Sequence, residues 1–307
     1  MLKYYVRHSV AEEFQRVSTP PRENAWVHGD NVTESDLQEL ARTYDMDQNI
    51  LKDVLDKDEL PRVEIRDNGE LYVFVRTIWR GRHGQVLTTP LLLAVKGTVF
   101  ASMAASSTDG HRLASPATVA GTDGTTSLLL GTLAAVVSDY QELMLHTSHV
   151  IHDTGTRLRT HEVTNQDFIR FVTVEDNLNE YRLNLSGMVV VAERLKEVLR
   201  TREDTEAIED IILYIKQLIV ATESHSQSIT SIRNAYSTIA NNTLNQRMKT
   251  LTVLTLLVAL PNVFYGMYGM NIALPFADEP WAYSGILGFT IMVIVLVYVL
   301  AKKRGIF

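Results

Sequence analysis

One set of residues repeats at a spacing that could do chemistry. Ser231, Asn234, Thr238, Asn241, Asn245, Met248, Thr252, Thr255, Ala259, Asn262 and Gly266 follow one another at alternating steps of three and four. That is the 3.5-residue period of a helical seam that faces other helices. An ordinary seam of this kind is Leu and Ile. Here it is hydroxyl, amide and small side chains, while Leu254, Leu257, Val258 and Val263 fall off it. Several copies of such a helix around an axis would line a water path with oxygens that accept hydrogen bonds from an ion's hydration shell. The other reading is that small and polar residues simply let helices pack closely in lipid. The stripe continues well outside the apolar part of the chain, and Asn262 would be costly facing lipid. Both points favour the water path.

The element that must position this seam is a membrane helix. Thr250 to Ala277 is 28 residues without a charge, and Pro280 to Ala301 is another 22. A bilayer core of about 30 Å needs roughly 20 apolar residues to cross as helix, so both runs qualify. The rest of the chain reads as too polar to cross. Arg247 and Lys249 precede the first run, and Lys302, Lys303 and Arg304 follow the second. The loop between them holds Asp278 and Glu279 and no basic residue. The positive-inside rule then puts both termini in the cytoplasm and the acidic loop outside. The first eight residues contain no long apolar stretch, so no signal peptide is expected.

Upstream, nothing but Pro261 stops a helix from about Ile208 to Met267. That is roughly 60 residues, or ~90 Å at 1.5 Å per residue, so most of it must project from the bilayer as a stalk with helical neighbours. Neither span holds an ionisable residue, whereas proton-coupled carriers generally need one. An uncharged polar path suits an ion that keeps its water, and magnesium gives up its shell reluctantly. The membrane potential contributes about 2 × 2.3 kcal/mol per 100 mV for a divalent cation, so no coupled fuel is required.

The chain ahead of the stalk reads as an α/β domain followed by a helical hairpin. Met1–Arg7 and Trp26–His28 are expected strands. Thr33 with Asp36 forms a capping-box pattern opening a helix to about Tyr44, and a second short helix covers Gln48–Asp56. Asn68-Gly69 and Lys96-Gly97 are turn signals between Arg62–Arg66 and Leu71–Trp79, and between Gln85–Val95 and Thr98–Met103. Residues 105–126 are a Ser/Gly/Pro/Thr linker. Its Gly121-Thr122-Asp123-Gly124 lacks the Gly-Lys-Ser/Thr ending of a P-loop and reads as a plain loop. Leu129, Leu133, Val136, Tyr140 and Leu143 form one apolar stripe; Phe168, Phe171, Leu178, Leu185, Met188 and Leu195 form another. A break is expected between them near Arg159–Asn165.

Composition closes several other routes. The formal net charge of −7 argues against nucleic acid as a partner. Cysteine is absent, so no disulfide, thiolate metal site or Cys nucleophile exists. No nucleophile–base pattern, HExxH or dinucleotide signature occurs, so no enzyme is expected. His146, His149 and His152 sit three apart on a helix, but they spread over about a third of its circumference, and solvated histidines are the simpler reading. Tyr265, Tyr268, Trp281 and Tyr283 read as an aromatic belt at the outer boundary.

Tyr268-Gly269-Met270-Asn271, at the outer end of the first span, resembles the signature of the CorA family of magnesium channels. The resemblance extends over Asn245-Gln246-Arg247-Met248-Lys249-Thr250-Leu251-Thr252, a proline within the span, a short outer loop, a last span and a basic tail. Upstream, Leu51-Lys52-Asp53-Val54-Leu55 and Pro61-Arg62-Val63-Glu64 are similar to that family's cytosolic domain.

The resemblance implies a funnel-shaped homopentamer in the cell membrane that passes hydrated Mg2+, and also Co2+ or Ni2+. Cytosolic α/β domain (1–125), helical hairpin (126–204), stalk (205–249), first span with its mouth (250–271), outer loop (272–281), second span (282–301) and basic tail (302–307) are the expected divisions. Five copies of Asn271 would form the outer selectivity ring, shaped by Gly269 and Tyr268. Asn234, Thr238, Asn241, Asn245, Met248, Leu251, Thr252, Thr255, Ala259, Asn262 and Gly266 would line the pore, with Met248 and Leu251 as a hydrophobic constriction. The family's regulatory magnesium, bound between subunits, would fall to Asp53 and Asp210.

The outer loop lacks the family's Met-Pro-Glu, with Asp278 and Glu279 in a position to replace it. Asn234 stands where an acidic ring is common. Pro261 lies one place later than in the family's pattern. Met270 leans towards magnesium, because a zinc-handling branch usually has Ile there. A zinc transporter of the same architecture, and a membrane-anchored sensor or scaffold, are the alternatives. An anchor needs neither the polar seam nor the Gly-Met-Asn.

Overall fold

The computed structural model describes residues 2–7, 14–82, 84–106, 124–160, 165–270, 276 and 279–303. Five expected features therefore lie wholly or partly outside the described residues. These are the linker's Gly121–Asp123, the break at 161–164, Asn271, the outer loop's Asp278, and Arg304 with the end of the tail. The chain divides into two units, residues 1–232 and 233–307.

The first unit is built on seven strands: β1 (Leu2–Val6), β2 (Gln15–Val17), β3 (Ala25–Gly29), β4 (Arg62–Ile65), β5 (Leu71–Arg80), β6 (Val86–Lys96) and β7 (Val99–Ala104). They form one sheet in the order β2-β1-β3-β7-β6-β5-β4. Only β3 and β7 run parallel. The two turns foreseen between β4 and β5 and between β6 and β7 are present. Gly69 at φ 83° and Gly97 at φ 58° occupy the left-handed region that such turns need and that glycine adopts without a Cβ clash. The three-residue β2 was not foreseen. It pairs along the edge with β1, Tyr4 opposite Val17.

Alternation divides the sheet between two layers. Val27, Tyr72, Phe74, Leu92, Ala101 and Met103 pack under α1 (Glu34–Tyr44) and α2 (Gln48–Lys52), against Leu37, Leu40 and Leu51. Thr33 caps α1 as expected: its side chain accepts from the Asp36 amide and the Asp36 carboxylate accepts from the Thr33 amide. The second helix is shorter than expected. It stops at Lys52 and tightens into a 3-10 turn, Asp53–Leu55. The other face of the sheet is covered by α3 (Gly124–Thr160) and α4 (Asn165–Val198). Leu129, Leu133, Val136 and Tyr140 of α3, and Phe171, Leu178, Leu185, Met188 and Leu195 of α4, are buried.

The expectation that only the C-terminal runs are apolar enough to cross a membrane needs correction. Among the described residues three helices are long and apolar enough: Gly124–Arg157, Arg202–Met267 and Ala282–Lys303. Burial separates them. The most apolar stretch of α3 is 61% buried within the protein, against 6% and 11% for the other two. α3 is apolar because it covers a sheet.

The helix α5 runs unbroken for 67 residues, Arg202–Tyr268, through Pro261. It begins earlier than the apolar pattern suggested. The Thr201 hydroxyl accepts from the Asp204 amide at 3.1 Å, and Glu203 and Asp204 lie where the helix dipole favours acids. In the second unit, α6 (Ala282–Lys303) completes the secondary structure.

Candidate functional site

Within the second unit every seam residue from Asn234 to Gly266 is exposed, Met248 by 54%, and so is Leu251, one place off the seam, by 56%. The covered positions of α5 here are Tyr236, Thr243, Thr250, Val253, Leu257, Leu260, Pro261 and Phe264. At about 100° per residue they centre on the opposite side of the helix from the seam. Phe264 meets Phe289 of α6 edge-on, ring centroids 5.2 Å apart. The seam thus lies on the face turned away from that contact. Off-seam Leu254, Leu256, Val258 and Val263 are exposed as well, an apolar surface suited to lipid.

The seam threonines share one hydrogen-bonding habit. Thr238 donates to the Asn234 carbonyl at 3.0 Å, Thr252 to Met248 at 2.9 Å and Thr255 to Leu251 at 2.9 Å. Each hydroxyl hydrogen is thereby directed back onto its own helix. What each oxygen retains is acceptor capacity. At Pro261 the helix lacks one amide donor, so the Leu257 carbonyl loses its usual partner one step before Asn262.

The helix ends in a tight turn at the expected mouth. The Gly269 amide donates to the carbonyls of Tyr265 at 3.0 Å and Gly266 at 3.2 Å, and Met270 donates to Met267 at 3.2 Å. A Cβ on Gly269 would meet the Tyr265 carbonyl oxygen at 3.4 Å, an ordinary contact. At the start of α6, Phe276 and Trp281 pack at 5.3 Å, and exposed Glu279 accepts from the Ala282 amide at 3.0 Å. Trp281, Tyr283 and Tyr265 are all exposed, as an interfacial belt requires.

In the first unit, Asp53 sits in the 3-10 turn after α2. Its Oδ2 accepts from Arg62 Nη2 at 2.6 Å. Nothing in the local sequence pattern of Pro61-Arg62-Val63-Glu64 points to this partner. Arg62 also donates from Nε to Glu59 at 2.7 Å and from Nη1 to Glu64, and its guanidinium lies 4.3 Å from the Phe74 ring centre. Burial pushes the Glu59 carboxyl up; Arg62 opposes this, and Asp53, Asp56 and Glu64 add to it. Asp210 is exposed on α5 and lines a cavity of about 630 Å³ with Glu203, Asp204 and Tyr214. Both Asp53 and Asp210 are carboxylates, the hard oxygen type that magnesium prefers, and one oxygen of Asp53 is already held by the Arg62 guanidinium.

The three helix histidines do not gather a metal site, and among the described residues no three His, Asp or Glu groups do. His146 is held below its ordinary pKa by burial and then by its neighbours Arg80 and His149.

A serine–histidine–aspartate arrangement, unforeseen in the sequence, lies on the sheet. Ser102 Oγ is 2.9 Å from His28 Nδ1, and His28 Nε2 is 2.9 Å from Asp30 Oδ2. Ser102 and His28 are buried, Trp26 Nε1 donates to the same hydroxyl at 3.0 Å, and Tyr5 stacks on Trp26. A hydroxyl only 2% exposed, bonded to a buried indole and a buried imidazole, offers no approach to a substrate. The network satisfies buried polar groups instead.

The sequence model described as "CorA-like Mg2+ transporter protein" matches residues 22–303. The chain belongs to the CorA family. That is a family of transporters and channels, not of enzymes. Among curated proteins it is 21% identical over 290 residues to the "Cobalt/magnesium transport protein CorA" of Methanocaldococcus jannaschii, covering 91% of this chain and 90% of that one. The complete structure of the CorA magnesium transporter from Methanocaldococcus jannaschii is similar with a TM-score of 0.83 at 19% identity, over 100% of this chain and 99% of that one. The full-length CmaX protein is similar with a TM-score of 0.72 at 14% identity, over 97% of each. The ZntB cytoplasmic domain from Vibrio parahaemolyticus matches with a TM-score of 0.64 at 10% identity, over 78% of this chain and 98% of that one. These likenesses show a shared fold, an α/β N-terminal domain with long helices.

Proposed function

We propose that this CorA-family transporter is a magnesium channel: a homopentamer in the cell membrane with both termini in the cytoplasm. It passes hydrated Mg2+ inward down the membrane potential. The observation that carries the reading is the uncharged seam of α5, whose threonines keep their oxygens as acceptors. The waters around a cation point their hydrogens outward, so the wall they pass must accept. A pathway that receives the hydrated ion through amide and hydroxyl oxygens avoids the cost of stripping its shell. Co2+ and Ni2+, which also bind water octahedrally, are expected to follow.

In this reading five Asn271 side chains ring the outer mouth behind Tyr268, Gly269 and Met270, and Asp278 and Glu279 raise the local cation concentration. Met248 and Leu251 close the path by dewetting. Cytosolic Mg2+, the resident ion between subunits, is held by Asp53 and Asp210 and neutralises carboxylates that would otherwise repel. This favours the closed state, and depletion of the ion releases it.

The test is flux into liposomes containing the purified protein, driven by a set potential and followed with a magnesium-sensitive dye. Potential-driven uptake that Asn271→Ala abolishes or opens to other ions is expected. Unchanged selective flux in that variant removes Asn271 from the mouth, and no flux at all leaves the chain an anchor or scaffold. The fold likeness to the ZntB cytoplasmic domain motivates a zinc arm with and without a proton gradient. Proton-coupled zinc flux exceeding that of magnesium would replace the proposal.

A further inference from the structure

Arg76 of β5 spends its donors on a loop and on one hydroxyl. Nη1 donates to the carbonyls of Lys57 at 2.9 Å and Glu59 at 2.8 Å. Nε and Nη2 donate to Thr88 Oγ1 at 3.1 and 3.0 Å. The Thr88 hydroxyl gives its own hydrogen to Glu180 Oε1 of α4 at 2.8 Å, and buried Asn184 donates to the same oxygen at 2.9 Å. The two carbonyls belong to the loop that the Asp53–Arg62 pair closes, since Asp53 precedes it and Arg62 follows it. Glu59 is therefore held twice, its carbonyl by Arg76 and its carboxylate by Arg62 Nε at 2.7 Å. The far end of the loop is seated as well, for a Cβ on Gly187 of α4 would come within 2.9 Å of Pro61.

We propose that Arg76 is a positioning residue for magnesium sensing: it fixes the loop from Asp56 to Pro61, so that Asp53 is presented to the ion in one place. This rests on the reading of Asp53 as part of the site between subunits. Arg76 does not touch the ion and acts through the loop. A surface loop left untied samples many backbone conformations, and a ligand that needs one of them loses affinity by having to order it. Hydrogen bonds from a charged donor are the stronger kind, and a planar guanidinium can hold two carbonyls with one edge and a hydroxyl with another. Thr88 and Glu180 orient the guanidinium from the side away from the loop, which keeps Nη1 aimed at the two carbonyls. A lysine at this position would keep the charge and lose the fork.

The test uses the full-length protein and two readouts: inhibition of liposome flux by Mg2+ on the cytosolic side, and the rise in melting temperature that Mg2+ gives the protein in detergent. Arg76→Gln should raise the half-point of both by roughly three- to tenfold, as befits the loss of charged hydrogen-bond donors, while maximal flux is unchanged. Arg76→Lys should fall between, and it decides the matter if Arg76→Gln does not fold. Ser102→Ala removes a buried hydroxyl bonded to His28 and Trp26, and should leave both half-points where they are. Asp53→Ala with Arg76→Gln should shift them no further than Asp53→Ala alone. Unchanged half-points in the Arg76 variants beside a shift in Asp53→Ala overturn the inference and leave the sensor standing. Unchanged half-points in Asp53→Ala remove the sensor, and the role of Arg76 with it. An equal shift in Ser102→Ala, or additive shifts in the double variant, reduces Arg76 to a structural residue.

Discussion

Arg62 holds Asp53. The guanidinium Nη2 donates to the Asp53 carboxylate at 2.6 Å while Nε and Nη1 engage Glu59 and Glu64. An aspartate proposed to sense magnesium thus has a counter-ion within its own chain, and an incoming ion must share it. Arg62→Gln is expected to lower the Mg2+ concentration that half-inhibits flux. The pair is partly exposed, so the shift is about two- to fivefold. Arg66→Gln removes an equal charge that pairs with Asp47 and more loosely with Glu64, but not with Asp53, and serves as the control. Equal shifts in both variants would reduce the effect to the general field. If Asp53→Ala leaves inhibition unchanged, Asp53 is not the sensor. Magnesium-dependent thermal stabilisation of the protein gives a readout independent of flux.

Glu59 gives the cluster a pH dependence. Its folded-state pKa is raised, so its contribution to stability is complete below the ordinary glutamate value of 4.5 and is lost as pH rises through the raised value. Glu59→Gln imitates the protonated form. At neutral pH the variant should melt no lower than the parent, and the advantage should vanish below about pH 4.5. Thermal melts of both proteins between about pH 4 and 8 would decide this, and a variant less stable at neutral pH would contradict it.

The seam threonines can be tested without changing shape. Thr252→Val and Thr255→Val together remove two hydroxyl oxygens and preserve volume. Flux should fall roughly fivefold or more if these oxygens receive hydration water, at about 1 kcal/mol per hydrogen bond. The oligomer, measured by light scattering, should not change. Full flux in the double variant would argue that the seam serves only to pack helices.

Gly187 fixes α4 against the segment that carries Arg62. A Cβ there would come within 2.9 Å of Pro61 Cγ and 3.1 Å of its Cβ, atoms of a rigid ring. Gly187→Ala should therefore cost about 1–3 kcal/mol of stability, read by denaturation of the purified protein. Unaltered stability would mean that α4 moves aside freely.

What could be read from the sequence was what repeats or turns. The capping box at Thr33 and Asp36, the Asn68-Gly69 and Lys96-Gly97 turns and the helical periodicity of α5 are local patterns, and each is present in the fold. Three-residue β2 carries no pattern long enough to notice and exists through pairing with Tyr4 to Val6. The parallel contact of β3 with β7 joins residues some 75 positions apart, from Ala25 with Val99 to Gly29 with Met103, which no periodicity encodes. Apolar α3 shows the limit from the other side: composition alone cannot tell a helix that covers a sheet from one that covers itself with lipid. The partnership of Asp53 with Arg62 was hidden for the same reason, because nine residues and a change of element separate them. Asn271 and Asp278 remain readings of the sequence.

The backbone-directed hydroxyls of Thr238, Thr252 and Thr255 bear on the sign of the charge a lining would admit. An anion's water turns its oxygens outward and needs donors, which these side chains have already given to their own helix. In the proposed pore these threonine positions would disfavour chloride while carrying no charge of their own, whereas the seam asparagines keep amide donors. Because the effect works through hydrogen-bond polarity and not through a long-range field, salt would not screen it. Cation selectivity at this part of the path should therefore hold at ionic strengths that erase the attraction of an acidic loop.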